Sequence, residues 1–293
     1  GPGAAAAGAG APHRQPYLNH RETRRARALG LLALVLMLAP LSLLWTVFGD
    51  GIGVLDWQFL LAEPEQAGRS GGIGPIIVST ALVLLICMSL AVPLGLGTAL
   101  FLVEQVRPEG RLNLTLQWAL DGLGAVPSVV FGLFGYRLFV VELGWGYSLL
   151  AGGCTLACMV LPLFIRGCEQ ALRDCPQSYR QAAAGLAISR VGYLRRILLP
   201  FAAPGIAAAL VISAGRALAE TAVLLFTAGY VMRWPESLFD SGRTLAVHIY
   251  DLAMNVSGGS PASAATAVVL LGFALVIQLL AWRIGKRPLS FAR

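Results

Sequence analysis

Two charged residues, Arg216 and Glu220, lie four positions apart within an otherwise apolar run over residues 205–228. A helix needs about 20 apolar residues to cross a bilayer, so this run is predicted to form a membrane-spanning helix with a cation near its centre. On insertion scales an arginine at that depth costs roughly 2.5 to 3.5 kcal/mol. Such a residue is normally retained because it faces a partner, a cavity or a transported ion.

The spacing places Arg216 and Glu220 on one helix face, together with Ser213. Gly215 and Ala219 form a pair of small residues that would let a second helix approach closely. One interpretation is that the charged face serves a transported ion. The alternative is a permanently buried Arg–Glu pair that fixes helix packing, since such pairs often add no net stability and yet are costly to break.

The composition is that of a polytopic membrane protein. Hydrophobic residues make up 57% of the 293 residues, charged residues make up 13%, and the mean hydropathy is +0.72. The net charge of +7 does not indicate nucleic-acid binding, because the arginines alternate between inter-helix segments and form no single basic stripe. The only lysine is Lys286, followed by Arg287, so the sequence contains no P-loop.

The sequence offers no catalytic residue and no metal site. The 3 histidines are scattered and form no HExxH-type motif. Cys154 and Cys158 share a helix face and permit a metal hypothesis, but small buried apolar side chains are the favoured interpretation. An intramembrane enzyme acting on lipid or peptide would need a paired acid, a metal triad or an activated nucleophile, and none is visible.

Long apolar runs predict about six transmembrane helices and hence an all-α fold. The predicted spans are residues 29–48, 73–103, 114–140, 147–165, 204–228 and 263–282. The second and third runs are longer than one crossing requires, so we expect tilt, a kink at Pro93 or Pro127, or a short interfacial helix.

The distribution of arginines predicts that both termini are cytoplasmic. With the N-terminus inside, the cytoplasmic side receives residues 14–27, Arg107, Arg111, six arginines between residues 166 and 196, and the basic C-terminal tail. Only Arg69, Arg233 and Arg243 fall outside, where Asp50, Asp56, Glu63, Glu65, Glu236, Asp240 and Asp251 lie. Glu104 is expected at a cytoplasmic interface and Arg137 near the outer end of its span, where it can reach the interface.

The long cytoplasmic loop over residues 166–203 has the clearest motif. Gln181, Ala182 and Ala183 present small side chains on a short predicted helix, which would let the groove of another protein approach the backbone. The alternative is an amphipathic interfacial helix without a partner.

The register of this loop resembles the EAA loop of ABC-importer permeases. The residues that carry the resemblance are Gln181, Ala182, Ala183, Ala187, Ile197, Leu199 and Pro200. The resemblance implies that these residues contact an ATPase subunit. Gln181 stands where the family has Glu, and Ala187 where it has Gly. The resemblance implies a type I ABC importer permease fold, in which this coupling helix sits in a cleft of the ATPase.

A second stretch indicates a branch of that family. Residues 216–229 read Arg-Ala-Leu-Ala-Glu-Thr-Ala-Val-Leu-Leu-Phe-Thr-Ala-Gly, which resembles the signature of the PstA family of phosphate permease subunits. Ala219 and Val223 replace the Gly and Pro usual in that family. Residues 71–80, 126–135 and 247–250 support the resemblance, which covers nearly the whole chain after the N-terminal tail.

The resemblance implies a function, a site and partners. The implied function is that of a permease subunit of an ATP-driven inorganic phosphate importer in a bacterial inner membrane. Its translocation path would be lined by Arg216, Glu220, Ser213 and Thr221, with Arg137 as a secondary candidate. The implied partners are a homologous PstC-like permease, a PstB-like ATPase dimer that binds ATP and Mg²⁺, and a PstS-like phosphate-binding protein; this chain would hold no cofactor and would not be an enzyme.

The predicted organisation follows from these assignments. Residues 1–28 are expected to be a disordered basic tail, 29–72 the first transmembrane helix and an outer loop, 73–284 the permease core, and 285–293 a cytoplasmic tail. Two alternatives stay open: a permease for another oxyanion such as sulfate, molybdate or tungstate, and a membrane scaffold that senses phosphate without moving it.

Overall fold

The structure is a computed structural model that describes residues 20–107 and 109–285, with side chains described over 25–107 and 109–283. It is built almost entirely of helices, which confirms the all-α prediction. The helices are α1 (His20–Ile52), α2 (Trp57–Leu61), α3 (Gly74–Glu104), α4 (Arg111–Ala125), α5 (Ser128–Gly135), α6 (Leu149–Arg173), α7 (Gln177–Gly185), α8 (Arg190–Tyr193), α9 (Leu199–Leu218), α10 (Ala222–Thr227), α11 (Leu245–Met254) and α12 (Ser260–Gly285). Two short strands, β1 (Pro64–Glu65) and β2 (Ser70–Gly71), pair antiparallel around a 3₁₀ turn at Gln66–Gly68.

Five helical segments of the described chain are long and apolar enough to cross a membrane. They are Arg25–Ile52, Gly74–Glu104, Leu149–Arg173, Arg190–Leu218 and Ser260–Arg283. A sixth span arises if α4 and the helix that begins with α5 are counted together, although they are bent by 94° with respect to each other. Pro127 explains this bend, because a proline disfavours helical geometry in the residue before it and Val126 is extended.

The chain divides into two units, residues 1–46 and residues 47–293. The first unit contains most of α1. The described leucine side chains of α1 are all exposed, as expected for a helix surrounded by lipid or by another subunit. The prediction of a disordered tail over residues 1–28 is wrong for residues 20–28, which are helical. Arginine and alanine favour a helix there, and the apolar run continues it without a break. Residues 1–19 and 286–293 lie outside the described residues.

The second unit is built around α6, which packs against α3, α5, α9 and α10. Small residues allow the close approach of α3: Phe164 of α6 fills the space beside Gly95, where a Cβ would lie 2.5 Å from its ring. The same holds between α6 and α9. A Cβ at Gly167 would lie 2.5 Å from the Ala209 methyl, and one at Gly205 the same distance from the Ala171 methyl.

The predicted fifth span over residues 204–228 is wrong as a single helix. Helix α9 ends at Leu218, residues 219–221 break the helical path, and α10 restarts at Ala222. Alanine, leucine and glutamate all favour a helix, so the local sequence contains no signal for this break. The break has a tertiary cause: it lets α10 pack against both α5 and α6, where Phe226 closes on Gly132 and Ala228 on Gly152.

The close contact between α3 and α6 leads to a test with a matched control. We expect Gly95→Ala to destabilise the protein by roughly 1 to 3 kcal/mol, because the added methyl group overlaps the buried ring of Phe164. Gly97→Ala on the same helix is the control, since a Cβ there has no neighbour within 4 Å among the described residues. Thermal unfolding in detergent measures both, and equal melting temperatures would contradict this packing.

Candidate functional site

Arg216 and Glu220 form an ion pair at the end of α9. The Arg216 Nη2 atom lies 3.0 Å from Glu220 Oε1, and the arginine side chain is 54% exposed whereas the glutamate side chain is 10% exposed. Arg216 occupies the last turn of α9, where unpaired backbone carbonyls stabilise a cation, and Glu220 follows the helix. The pair therefore holds an accessible cation against a largely buried anion.

The depth of Arg216 follows from the register between α6 and α9. Gly167 lies opposite Ala209 and Gly205 opposite Ala171, so the two helices are antiparallel. Continuing this register places Arg216 level with Val160, next to the middle of α6. The charge thus lies level with the middle of α6, although it is near the end of its own helix.

The guanidinium of Arg216 lines a cleft of about 440 Å³. The walls are mostly apolar and come from the corner between α4 and α5 and from one face of α6, including Phe131, Met159 and Leu163. Its charged lining residues are Arg216, Arg166 and Asp121. A mostly apolar cleft with a few charged groups is the usual form of a binding site.

The other predicted site residues lie outside this cleft. Ser213 is buried, and its Oγ has no hydrogen-bond partner among the described residues. Ser213 does not share the exposed face of Arg216. Positions three apart on a helix differ by about 60° in direction, and here Ser213 falls on the packed side of α9 and Arg216 on the exposed side. Thr221 precedes α10, and Arg137 is exposed and pairs with Glu142 at 2.9 Å. Their roles stay predictions.

The coupling-loop residues are divided between a short helix and the start of the next span. Gln181 and Ala182 are exposed on α7, whereas Ala183 is 4% exposed and packs inward. Ile197 belongs to a π-helical segment over Leu194–Leu198 that leads directly into α9. Leu199 and Pro200 form the first turn of α9, where the missing proline N–H is tolerated.

Ala187 lies two residues beyond the last residue of α7 and has a left-handed conformation, with φ of 51°. A non-glycine residue in that region costs roughly 1 to 2 kcal/mol. The glycine that the family resemblance calls for at this position would avoid this cost. The chain therefore keeps the backbone turn of the motif although it lacks the residue that suits it.

A buried carboxylate ties the coupling helix to α3. Glu104, at the end of α3, pairs with Arg180 of α7 at 2.5 Å, and its backbone carbonyl accepts a hydrogen bond of 2.7 Å from Arg190 Nη2. The Glu104 side chain is nearly inaccessible. Glu104 thus connects the end of α3 with α7 and with the helical segment that continues into α9.

Sequence reasoning missed a buried polar cluster at the opposite end of α6, next to α11. Arg243 Nη1 donates a 2.8 Å hydrogen bond to Asp251 Oδ2 and lies 3.5 Å from His248 Nδ1. His248 is fully buried beside Gly68, and its Nε2 has no hydrogen-bond partner in the described part of the chain. The spacing of Arg, His and Asp at 243, 248 and 251 was the available signal, but Arg243 and Asp251 were interpreted only as outer-loop charges and His248 as a scattered histidine within a stretch that supports the resemblance.

Residues 91–288 match the family described as binding-protein-dependent transport system inner membrane component. The chain belongs to this family. The matched region contains α6, α7, the Arg216–Glu220 pair and the cleft, and family membership confirms the predicted relationship to ABC-importer permeases. The chain is therefore a multi-span membrane subunit of a transport system.

Relatives and solved structures agree with this family. The chain is 30% identical over 275 residues to the probable ABC transporter permease protein YqgI of Bacillus subtilis strain 168, which covers 89% of this chain and 92% of that protein. It is 34% identical over 203 residues to the phosphate transport system permease protein PstA 1 of Mycobacterium tuberculosis, covering 67% and 66% of the two chains. A chain from the crystal structure of a bacterial alginate ABC transporter with a periplasmic protein bound to alginate pentasaccharide has a TM-score of 0.63 at 17% identity, and the match covers 92% of this chain and 96% of that one.

The buried cluster of the permease predicts how its stability depends on pH. Burial, with a further contribution from Arg243, lowers the pKa of His248 from 6.5 to about 4, and Asp251 only partly opposes this. The neutral imidazole is therefore favoured in the folded state. The contribution of neutral His248 to the free energy of unfolding is complete above pH 6.5. It is lost as the pH falls towards 4, by up to roughly 3 kcal/mol.

Melting temperatures measured between pH 7.5 and about 4 test this expectation. The control is His248→Gln, which cannot titrate, so the difference between wild type and variant isolates the imidazole. Parallel profiles for the two proteins would show that His248 is not kept neutral by the fold.

Proposed function

We propose that this chain is a permease subunit of an ATP-driven importer of inorganic phosphate. The observation that carries the proposal is an accessible arginine at mid-depth of the bundle, facing a cleft and balanced by a largely buried glutamate. A phosphate anion needs a cationic partner in an apolar environment. The PstA-like signature over residues 216–229 and the named phosphate-transport relatives support phosphate as the anion.

The Arg216–Glu220 pair provides a station, by which we mean a site that binds the transported anion reversibly. Glu220 holds the guanidinium when the path is empty, and the anion competes with it when the path is occupied. Transport requires binding that is favourable enough to admit the anion and weak enough to release it. A carboxylate next to the guanidinium meets this requirement, because it limits how tightly the anion is held.

The complex would contain four further components. A homologous PstC-like permease would complete the path, and a dimer of PstB-like ATPase subunits would bind ATP and Mg²⁺, since this chain has no P-loop. A PstS-like binding protein would deliver phosphate from outside. Gly215 supports a partner at this face: a Cβ there would meet nothing within 4 Å among the described residues, so a second helix has room to approach.

The orientation and the coupling follow from the same proposal. Both termini and α7 would lie in the cytoplasm of a bacterial cell whose inner membrane holds the complex. Gln181, Ala182 and Ala187 would face the ATPase, with the exposed apolar side chains of Leu186 and Ile188 beside them. ATPase closure would then move α7, and Glu104 would pass this movement to α3 and to the start of α9.

The first test is uptake of radiolabelled phosphate by proteoliposomes that contain the assembled complex. We expect uptake that depends on ATP and is unaffected by excess sulfate or molybdate. Inhibition by either competitor would favour a permease for another oxyanion. Phosphate binding without uptake in a correctly assembled complex would favour a sensing role.

A double variant that removes both charges distinguishes between a role of Arg216 and Glu220 in transport and a role in helix packing. We expect Arg216→Gln combined with Glu220→Gln to assemble normally, because it leaves no unpaired buried charge, and yet to lower uptake by about tenfold or more, since a charge-assisted contact to the anion is worth roughly 1.5 to 3 kcal/mol. Arg69→Gln is the control and should retain uptake, because Arg69 is exposed beside β2 and does not line the cleft. Normal uptake by the double variant would mean that the pair serves only packing.

Cross-linking tests the coupling surface. In a background without the five native cysteines, Gln181→Cys should cross-link to the ATPase subunit, because Gln181 is exposed on α7. Tyr147→Cys, exposed next to the start of α6 at its other end, is the control and should give no such product. Absence of a cross-link from residue 181 in the intact complex would exclude α7 as the docking helix.

A further inference from the structure

We propose that Arg166 forms a second oxyanion station in the cleft of Arg216, on the side of the coupling helix. This inference rests on the proposed function and adds a site to it. Sequence reasoning had counted Arg166 only among the charges of a cytoplasmic loop. The structure instead places it in the wall of the same cleft as Arg216.

The two arginines lie at different depths. In the register between α6 and α9, Arg216 is level with Val160, and Arg166 is six residues further along α6. At 1.5 Å per residue this is about 9 Å along the helix axis. An anion leaving Arg216 towards α7 would therefore meet Arg166 next.

Arg166 keeps free hydrogen-bonding capacity in this position. Its Nη2 donates to the Gln117 carbonyl at 3.0 Å and to the Asp121 carboxylate. The N–H groups on Nε and Nη1 make no hydrogen bond within the described residues, although Nη1 lies 3.6 Å from a Glu169 oxygen. A planar guanidinium with unused donors suits the paired oxygens of phosphate.

The carboxylates around Arg166 are not equivalent. Glu169 is buried and already accepts hydrogen bonds from Gln117 Nε2 at 2.8 Å and from Arg173 Nε at 2.9 Å. Asp121, the other partner of Arg166, has a side chain that is 67% exposed, whereas the Arg166 side chain is 33% exposed. An ion pair with an exposed partner contributes little stability, so an incoming anion can displace Asp121.

Each station therefore consists of an arginine and a carboxylate that competes with the anion. Glu220 has this role at Arg216, and Asp121 has it at Arg166. A pair of moderately weak sites is suited to conduction, because neither site traps the anion. The remaining wall of the cleft is mostly apolar and gives the anion few other partners.

The experiment detects the charge of Arg166 through the reaction rate of a cysteine at residue 163. This position is one helical turn away from Arg166 and also lies in the cleft wall. In the assembled complex, with native cysteines replaced, Leu163→Cys is modified by an anionic and by a neutral methanethiosulfonate reagent. The rate with the anionic reagent is divided by the rate with the neutral reagent, because this ratio cancels changes in how accessible the cysteine is. We expect Arg166→Gln to lower this ratio by about threefold or more, and Arg166→Lys to retain it.

Arg173→Gln is the matched control. Arg173 shares Glu169 with Arg166 but does not line the cleft, so its removal should leave the ratio unchanged. We also expect 10 mM phosphate to slow the anionic reagent with Arg166 present and much less with Arg166→Gln. An unchanged ratio in Arg166→Gln, or an equal drop in Arg173→Gln, would overturn the proposal.

Uptake separates this inference from the function on which it rests. If the wild-type complex takes up no phosphate but the ratio falls as expected, the station stands and the proposed substrate is wrong. If the wild-type complex takes up phosphate and the ratio does not change, the function stands and the second station is wrong.

Discussion

The energetic requirement of a guanidinium at mid-depth in an apolar bundle shapes the whole site. Arg216 needs a nearby negative charge and an open space on its other side, because an isolated charge there would be costly. The end of α9 supplies unpaired carbonyls, Glu220 supplies a carboxylate at 3.0 Å, and the cleft supplies the space. The unpaired carbonyls depend on the end of α9 at Leu218, since a continuous helix would use them in its own hydrogen bonds.

The break is maintained by packing at a distance from the charges. Helix α10 lies against α5 and α6 with very little clearance, since a Cβ at Gly132 or Gly152 would approach Phe226 or Ala228 within 2.9 Å. The 94° bend at Pro127 turns α5 towards α10 and leaves α4 as one wall of the cleft. The small residues and the proline thus act on the site through backbone geometry.

The two ends of α6 have different polar chemistry. At the α7 end the ion pairs join side chains from several segments and include partly exposed groups, as around Glu104 and Arg166. At the α11 end the Arg243–His248–Asp251 cluster is buried and close-packed.

The sequence by itself determined the class of the protein and the approximate spans. Long apolar runs specify membrane helices because backbone hydrogen bonds must be satisfied within each helix in lipid. The bend at Pro127 was also readable, since its cause is local.

Only the tertiary structure decided which residues share the cleft. Residues 216–222 contain good helix formers, so the end of α9 and the inward position of Ser213 could not be predicted from local preference. Arg166 lies 50 positions before Arg216 in the sequence, and only the antiparallel packing of α6 and α9 places both in one wall. Likewise, the burial of His248 depends on Gly68, which comes from a distant hairpin. Local sequence specifies helices and charges, whereas the contacts between distant helices specify which charges can act together.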